Sequence, residues 1–475
     1  MASQNAHEGP QAGNPGGAVL ESAPRFRNRP MIFDRPLTAE ERRASLRRIA
    51  LFSLVNGVSY VCVGETIMVL AAVRLGCPDA VTAAIGTMLY VGFAMLPLGR
   101  FLAARWGAAK SSAGAWIARN GFALLIAAAL VWARGRPMLA SAMVLVGAFG
   151  FYGCRAAAVV LQGPLYGEAA TAEGRSRALG LFNALFYVGM AAGLAGVLAA
   201  MSRAGGTAAL VGIVCVGSSF GTWSSWFLGR AHESATLRDG ARKPVRADLR
   251  EVASDRTFRR HVAACCCLNL ALMLVQPASV IILKRGYGAT DLQAMLYTMP
   301  FVVGSGVGSW LTGPMGRRWG PRKEMLGGFL ALLGICAFWA LLPDGSVAGA
   351  GLAMAALWTG GYFALGFARS VVETAIMHYY LSAMEPRLRI SAGIVLYTAM
   401  GVLAGLVGVA LTALLMGRVS AGGATDVPGP RALAAYRTFF LGVLVLLAPL
   451  VAIVWRVIPL PEEVRAKIRH HHAPH

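Results

Sequence analysis

Apolar stretches long enough to cross a lipid bilayer recur twelve times in this chain, and that narrows the structures open to it. They fall at 50–73, 80–99, 112–133, 137–164, 178–201, 207–229, 261–283, 292–312, 325–342, 347–380, 390–416 and 434–458. A hydrocarbon core about 30 Å thick is crossed by roughly 20 helical residues. Overall 56% of residues are hydrophobic and only 14% charged, too few charges for a soluble globule, which carries about 25%. In lipid each backbone polar group must find its partner inside its own segment, so these runs are read as helices. The expected fold is an all-α polytopic membrane protein.

The twelve segments are two copies of six. Arg105-Trp106-Gly107 with Lys110 returns as Arg318-Trp319-Gly320 with Lys323, 213 residues later. Gly189, Gly193 and Gly196 return as Gly401, Gly405 and Gly408 at an offset of 212. A near-constant offset over such a distance predicts two pseudo-symmetric six-helix bundles. Repeats of this kind in membranes carry a site at their interface and rock about it.

A formal charge of +22 invites a nucleic-acid reading, which the placement of the cations argues against. Of 44 Lys and Arg, 32 fall before the first span, in alternate connections and after the last span; nine lie on the opposite side and three within spans. Such a bias sets membrane orientation and predicts both termini in the cytoplasm. Contact with anionic lipid headgroups follows; nucleic acid is not expected. Residues 1–37, rich in Gly, Pro and Ala, read as a disordered cytoplasmic tail with no signal peptide. The bundles are expected at 38–229 and 261–458, joined by a basic cytoplasmic linker at 230–260 and followed by a tail at 459–475. Eight cysteines, mostly inside spans, make no disulfide or metal framework. No metal or cofactor is expected, and the chain is read as a monomer.

Twelve spans as six plus six, a long basic central loop and a Gly-x4-Arg-x-Gly-x-Arg-Lys-like loop after spans 2 and 8 resemble the major facilitator superfamily over roughly residues 45–460. In the second copy Gly313, Arg318, Gly320, Arg322 and Lys323 match the loop signature; in the first, Arg105, Gly107 and Lys110 match, with Arg100 at the leading glycine. The resemblance implies that these are gating loops. Both copies lack its acidic residue, having Ala104 and Arg317 instead. The glycine ladders, on spans 5 and 11, are helix-packing positions, because small residues let backbones approach closely; the resemblance places those spans where the halves meet.

Chemistry inside the bilayer must come from the few polar groups there, since each is costly unless paired or hydrated. Glu65 lies on span 1, Arg155 on span 4, Arg369 on span 10 with Glu373 one turn away, and Arg119 on span 3. Asn56 on span 1 has its image in Asn269 on span 7, where Gln276 precedes Pro277. The resemblance implies that spans 1, 4, 7 and 10 line the cavity, which makes Asn56, Arg155, Asn269, Gln276 and Arg369 the substrate-binding candidates. Glu65 and Glu373 are the proton-coupling candidates: a carboxylate held ionised by an arginine takes a proton when the two separate. Static ion pairing, and hydrogen-bonded packing for the asparagines, compete with those roles.

The sequence therefore points to a secondary active transporter. It would move a small polar or organic solute, an anionic one included, by alternating access and in symport with protons. An efflux antiporter and a transporter-like sensor or scaffold without transport are the alternatives. A membrane enzyme would need a concentrated catalytic set, which the spans lack. Arginine-over-lysine bias with high Ala and Gly suggests a bacterial inner (cytoplasmic) membrane.

Overall fold

The computed structural model describes residues 32–203, 206–345, 351–420 and 429–457. Among the described residues twelve helical spans can be traced. Span 1 is Ala39–Val63 continued by Glu65–Arg74, and span 2 is Asp79–Gly92 and Leu96–Trp106 joined by one 3-10 turn. Spans 3 to 6 are Ala108–Trp132, Pro137–Ala169, Arg175–Arg203 and Thr207–Leu228. Span 7 is Arg256–Ile281 with a π-helical end at Ile282–Gly286, and spans 8 and 9 share Asp291–Leu341. Span 10 is Leu352–Ala383; span 11 runs from Arg389–Thr398 through the π-helix Ala399–Gly405 to Leu406–Ser420; span 12 is Pro430–Val457. Among the described residues nine helices are apolar and long enough to span by composition alone. Spans 2, 8 and 10 are not identified by that measure, and their place in the repeat identifies them.

The internal copy is visible at single-residue detail. Gly107 ends span 2 at φ 84, ψ 166, and Gly320 separates spans 8 and 9 at φ 76, ψ 159. A left-handed φ is costly for a residue bearing Cβ, so glycine lets both loops turn sharply between antiparallel helices. A second correspondence interrupts span 1 and weakens span 7 at matching places. Span 1 is interrupted at Gly64, whose ψ of −179 is extended, and Pro277 stands at the matching place in span 7. Span 1 is thus discontinuous rather than one uninterrupted helix, with Glu65 in the first turn of its second piece.

The glycine ladders pack as small-residue positions do. A Cβ at Gly189 would overlap the carbonyl oxygen of Leu54 on span 1, and one at Gly193 would lie 3.0 Å from that of Val58. Gly401 and Gly405 accommodate the rings of Phe93 and Tyr90 on span 2, and Gly408 packs on Met273 of span 7. Gly196 is the exception: nothing lies within 4 Å of a Cβ built there.

At the Arg-rich end the linker is structured and docked. Its helices Ala235–Arg242 and Val245–Ser254 lie against spans 2 and 11. Ile32–Phe33 pairs in parallel with Glu233–Ser234, so the chain is ordered earlier than the tail boundary at 37 expected from composition. The rest of that tail, residues 1–31, and residues 459–475 lie outside the described residues. Thr38 begins span 1 with the capping box its sequence spells: its hydroxyl accepts from the Glu41 amide while the Glu41 carboxylate accepts from the Thr38 amide at 2.8 Å. Arg35 pairs with the same carboxylate at 2.9 Å.

Candidate transport site

Between the halves lies a cavity of about 360 Å³. Charged and polar residues line it from both halves, among them Asn56 and Tyr60 on span 1, Arg155 and Gln162 on span 4, Asn183 and Tyr187 on span 5, and Arg369 and Glu373 on span 10. Four of the residues singled out by sequence, Asn56, Arg155, Arg369 and Glu373, thus meet at one surface. A fifth joins them by a hydrogen bond. Arg369 donates from Nη1 to Gln276 Oε1 at 2.8 Å and from Nε to Glu373 Oε1 at 2.8 Å. The first bond ties span 10 to span 7; the second closes an i,i+4 pair on one helix face. Both charges of that pair keep contact with the cavity, with side chains 29% and 42% exposed.

Arg155 is held differently. Its guanidinium lies 5.3 Å from the Tyr60 ring centroid, over the face of the ring. Among the described residues it makes no ion pair or hydrogen bond. Glu65 is near enough for its charge and that of Arg155 to interact, yet no bond joins them. Glu65 is exposed and does not line the cavity. It stands one helical turn beyond Tyr60, where the amides opening the second piece of span 1 favour a carboxylate.

Asn269 does not line the cavity either. Its Nδ2 donates to the Met400 carbonyl at 2.7 Å, inside the π-helix of span 11, where an irregular turn leaves a carbonyl to be satisfied. The two symmetry-related asparagines therefore differ: Asn269 fixes a neighbouring span, while Asn56 faces the cavity with Oδ1 unpartnered. The sequence reading passed over Asn183 and Tyr187 on span 5. Asn183 lines the cavity, and its Nδ2 donates to Thr374 Oγ1 at 2.9 Å across the halves; a lone Asn inside an apolar span was the available signal.

The cavity is closed at the Arg-rich end. Arg100, at the position where the loop signature has glycine, is fully buried and reaches Asp248 Oδ2 on the linker at 2.7 Å and Ser391 Oγ at the start of span 11. Its Nε donates to the Ala241 carbonyl at 3.2 Å. One side chain thereby ties span 2, the linker and span 11 together. Arg175, opening span 5, donates to the Leu381 carbonyl at the end of span 10, 3.1 Å away, and Ser176 donates to the Thr312 carbonyl of span 8 at 3.1 Å. Of the loop cations, Arg105, Lys110, Arg318 and Lys323 are exposed, and Arg105 lies over the Phe101 ring.

The linker also closes the first loop. Glu233 accepts from the Ala108 and Ala109 amides at 2.7 and 3.3 Å, capping the start of span 3 just after Gly107. Burial pushes its carboxyl up to about 8, against the pull of those two amides.

Two helical bundles thus meet around a central cavity lined from both. The Major Facilitator Superfamily model matches residues 154–387. No curated protein matches the chain. Among solved structures, the E. coli fucose:proton symporter FucP is similar at TM-score 0.61 and 14% identity, covering 86% of this chain and 98% of that one. A bacterial homologue of the iron transporter ferroportin, outward-facing and with soaked iron, is similar at TM-score 0.61 and 13% identity, covering 87% and 98%. The same homologue without the soak scores 0.61 at 13%, covering 87% and 99%. At those identities the likeness is one of fold. The family model covers just under half of the chain, and together with the helical architecture it makes the chain similar to multi-pass proteins of the major facilitator superfamily.

Proposed function

We propose that the protein is a proton-coupled symporter that carries a small polar or organic solute between its two halves by alternating access. The observation that carries this reading is the shared cavity, where spans 1, 4 and 10 present Asn56, Arg155, Arg369 and Glu373. Glu65 and Glu373 are the proton carriers. Rocking of the halves changes the distance between Glu65 and Arg155, and a carboxylate losing its cation takes up a proton more readily. Glu373 follows the same rule against Arg369. Asn56, Arg155, Arg369 and Gln276 bind the solute. A proton symporter stands among the similar folds, in keeping with this direction of coupling.

The membrane is the bacterial inner membrane, with the Arg-rich end and both termini in the cytoplasm. The protein works as a monomer, with basic loops lying on anionic headgroups. A sensor without transport drew its support from the missing loop acids at Ala104 and Arg317; Asp248 supplies a buried carboxylate to Arg100 at the first loop. The test is uptake into proteoliposomes with and without an imposed inward proton gradient, over a panel of small metabolites. Gradient-driven accumulation of one solute supports symport. Gradient-driven extrusion would replace it with antiport, and binding without flux would favour the sensor.

A further inference from the structure

The two arginines facing the cavity are not equivalent. Arg369 is neutralised within its own half: Glu373 and Gln276 each accept from it at 2.8 Å. Arg155 has the Tyr60 ring face and no acceptor among the described residues. Behind it, Arg119 is fully buried between Trp116 and Phe151, its guanidinium 4.4 and 5.1 Å from their ring centroids. Arg119 Nη2 donates to Ser59 Oγ at 2.9 Å and to Asn120 Oδ1 at 2.8 Å, while Nη1 has no partner. The N-terminal half therefore holds two embedded guanidiniums with no carboxylate bonded to either. A charge in so apolar a setting calls for a counter-charge, and only Arg155 lines the cavity. Within the cavity lining Arg369 and Glu373 cancel, which leaves Arg155 as the one positive charge there without a bonded carboxylate; Glu65 interacts with it only from outside the lining.

We infer that the cargo is a small hydroxylated monocarboxylate whose carboxylate binds Arg155, with its hydroxyls directed to Asn56 and Glu373. Asn56 Oδ1 has no donor in the protein. Glu373 turns a part-exposed carboxylate, engaged by Arg369 at Oε1, toward the same space. The free Asn56 Oδ1 and the Glu373 carboxylate are acceptors, so hydroxyl donors on the rest of the cargo suit them. A cationic donor would leave the wall with surplus positive charge, whereas one carboxylate balances it. A cavity of about 360 Å³ suits a molecule of sugar-acid size.

This inference rests on the transport reading for the location of the site, and binding tests it separately from flux. The full chain, purified in detergent, is titrated with lactate, glycerate, gluconate and glucuronate, with glucose and glucosamine as neutral and cationic counterparts, following thermal stability. A saturable rise in Tm with at least one hydroxy acid and none with glucose or glucosamine is expected. Arg155→Gln should weaken that binding about tenfold or more. Arg155→Lys, which keeps the charge, should fold and retain part of it, and the Arg369→Gln/Glu373→Gln pair should still bind the carboxylate. No response to any of the four acids, equal response to the neutral or cationic sugar, or binding undiminished in Arg155→Gln overturns the inference. Flux of a neutral solute would overturn it and leave transport standing; carboxylate binding without flux would do the reverse.

Discussion

Arg100 on span 2 and Asp248 on the linker meet at 2.7 Å with both side chains almost fully buried. The pair joins the first half to a segment that belongs to neither bundle, and Ser391 brings span 11 into the same contact. In an alternating-access molecule, opening this end requires that the pair separate or travel as a unit with one half.

Breaking it should therefore cost more than a surface ion pair would. Arg100→Met leaves a buried carboxylate without its cation, a loss of about 3–5 kcal/mol. The double variant Arg100→Met/Asp248→Leu should recover most of that. Thermal unfolding in detergent reads both. Equal Tm values for the single and double variants would show that the pair is not the source of the stability.

A second prediction concerns Glu233. Its folded-state carboxyl is raised to about 8, above the ordinary carboxylate range. A raised acid binds protons more tightly in the folded chain, so its contribution to stability is full below the unfolded value and falls as pH rises toward 8. Wild-type Tm should decline across that interval, and Glu233→Gln should flatten the decline. A decline of the same steepness in the variant would remove Glu233 as its cause.

The glycine ladder of span 5 offers an internal control. At Gly189 an added methyl would overlap the Leu54 carbonyl oxygen, whereas at Gly196 it meets nothing within 4 Å. Gly189→Ala should destabilise by about 1–3 kcal/mol, as overpacking does. Gly196→Ala should be neutral or gain up to about 1 kcal/mol of helix propensity. Similar Tm shifts for both would contradict the packing described.

Periodicity and offset made the twelve spans and their doubling legible, since a bilayer imposes segment length and a duplication preserves spacing. Loop geometry was legible too: Gly107 and Gly320 are glycine because both turns need a left-handed φ. Sequence also brought Asn56, Arg155, Arg369, Glu373 and Gln276 to one site, because ionisable groups inside spans have few other places to go. Of their pairings it gave one, Arg369 with Glu373. Arg369 and Glu373 are neighbours on one helix and meet, whereas Glu65 and Arg155 sit on different spans and no bond joins them. Asn269 looked equivalent to Asn56 by symmetry; the π-helix of span 11, which sequence does not announce, drew it to the Met400 carbonyl. The Arg100–Asp248 bond joins residues 148 positions apart, beyond any local signal.

The account as a whole is tested most directly by following protons and solute together at Glu65. Proteoliposomes carrying a trapped pH dye receive the cargo from outside, for wild type and for Glu65→Gln. The predicted result is proton entry with solute entry in the wild type, and in the variant solute exchange that continues without proton entry or accumulation. Proton-coupled accumulation of equal size in both would contradict it.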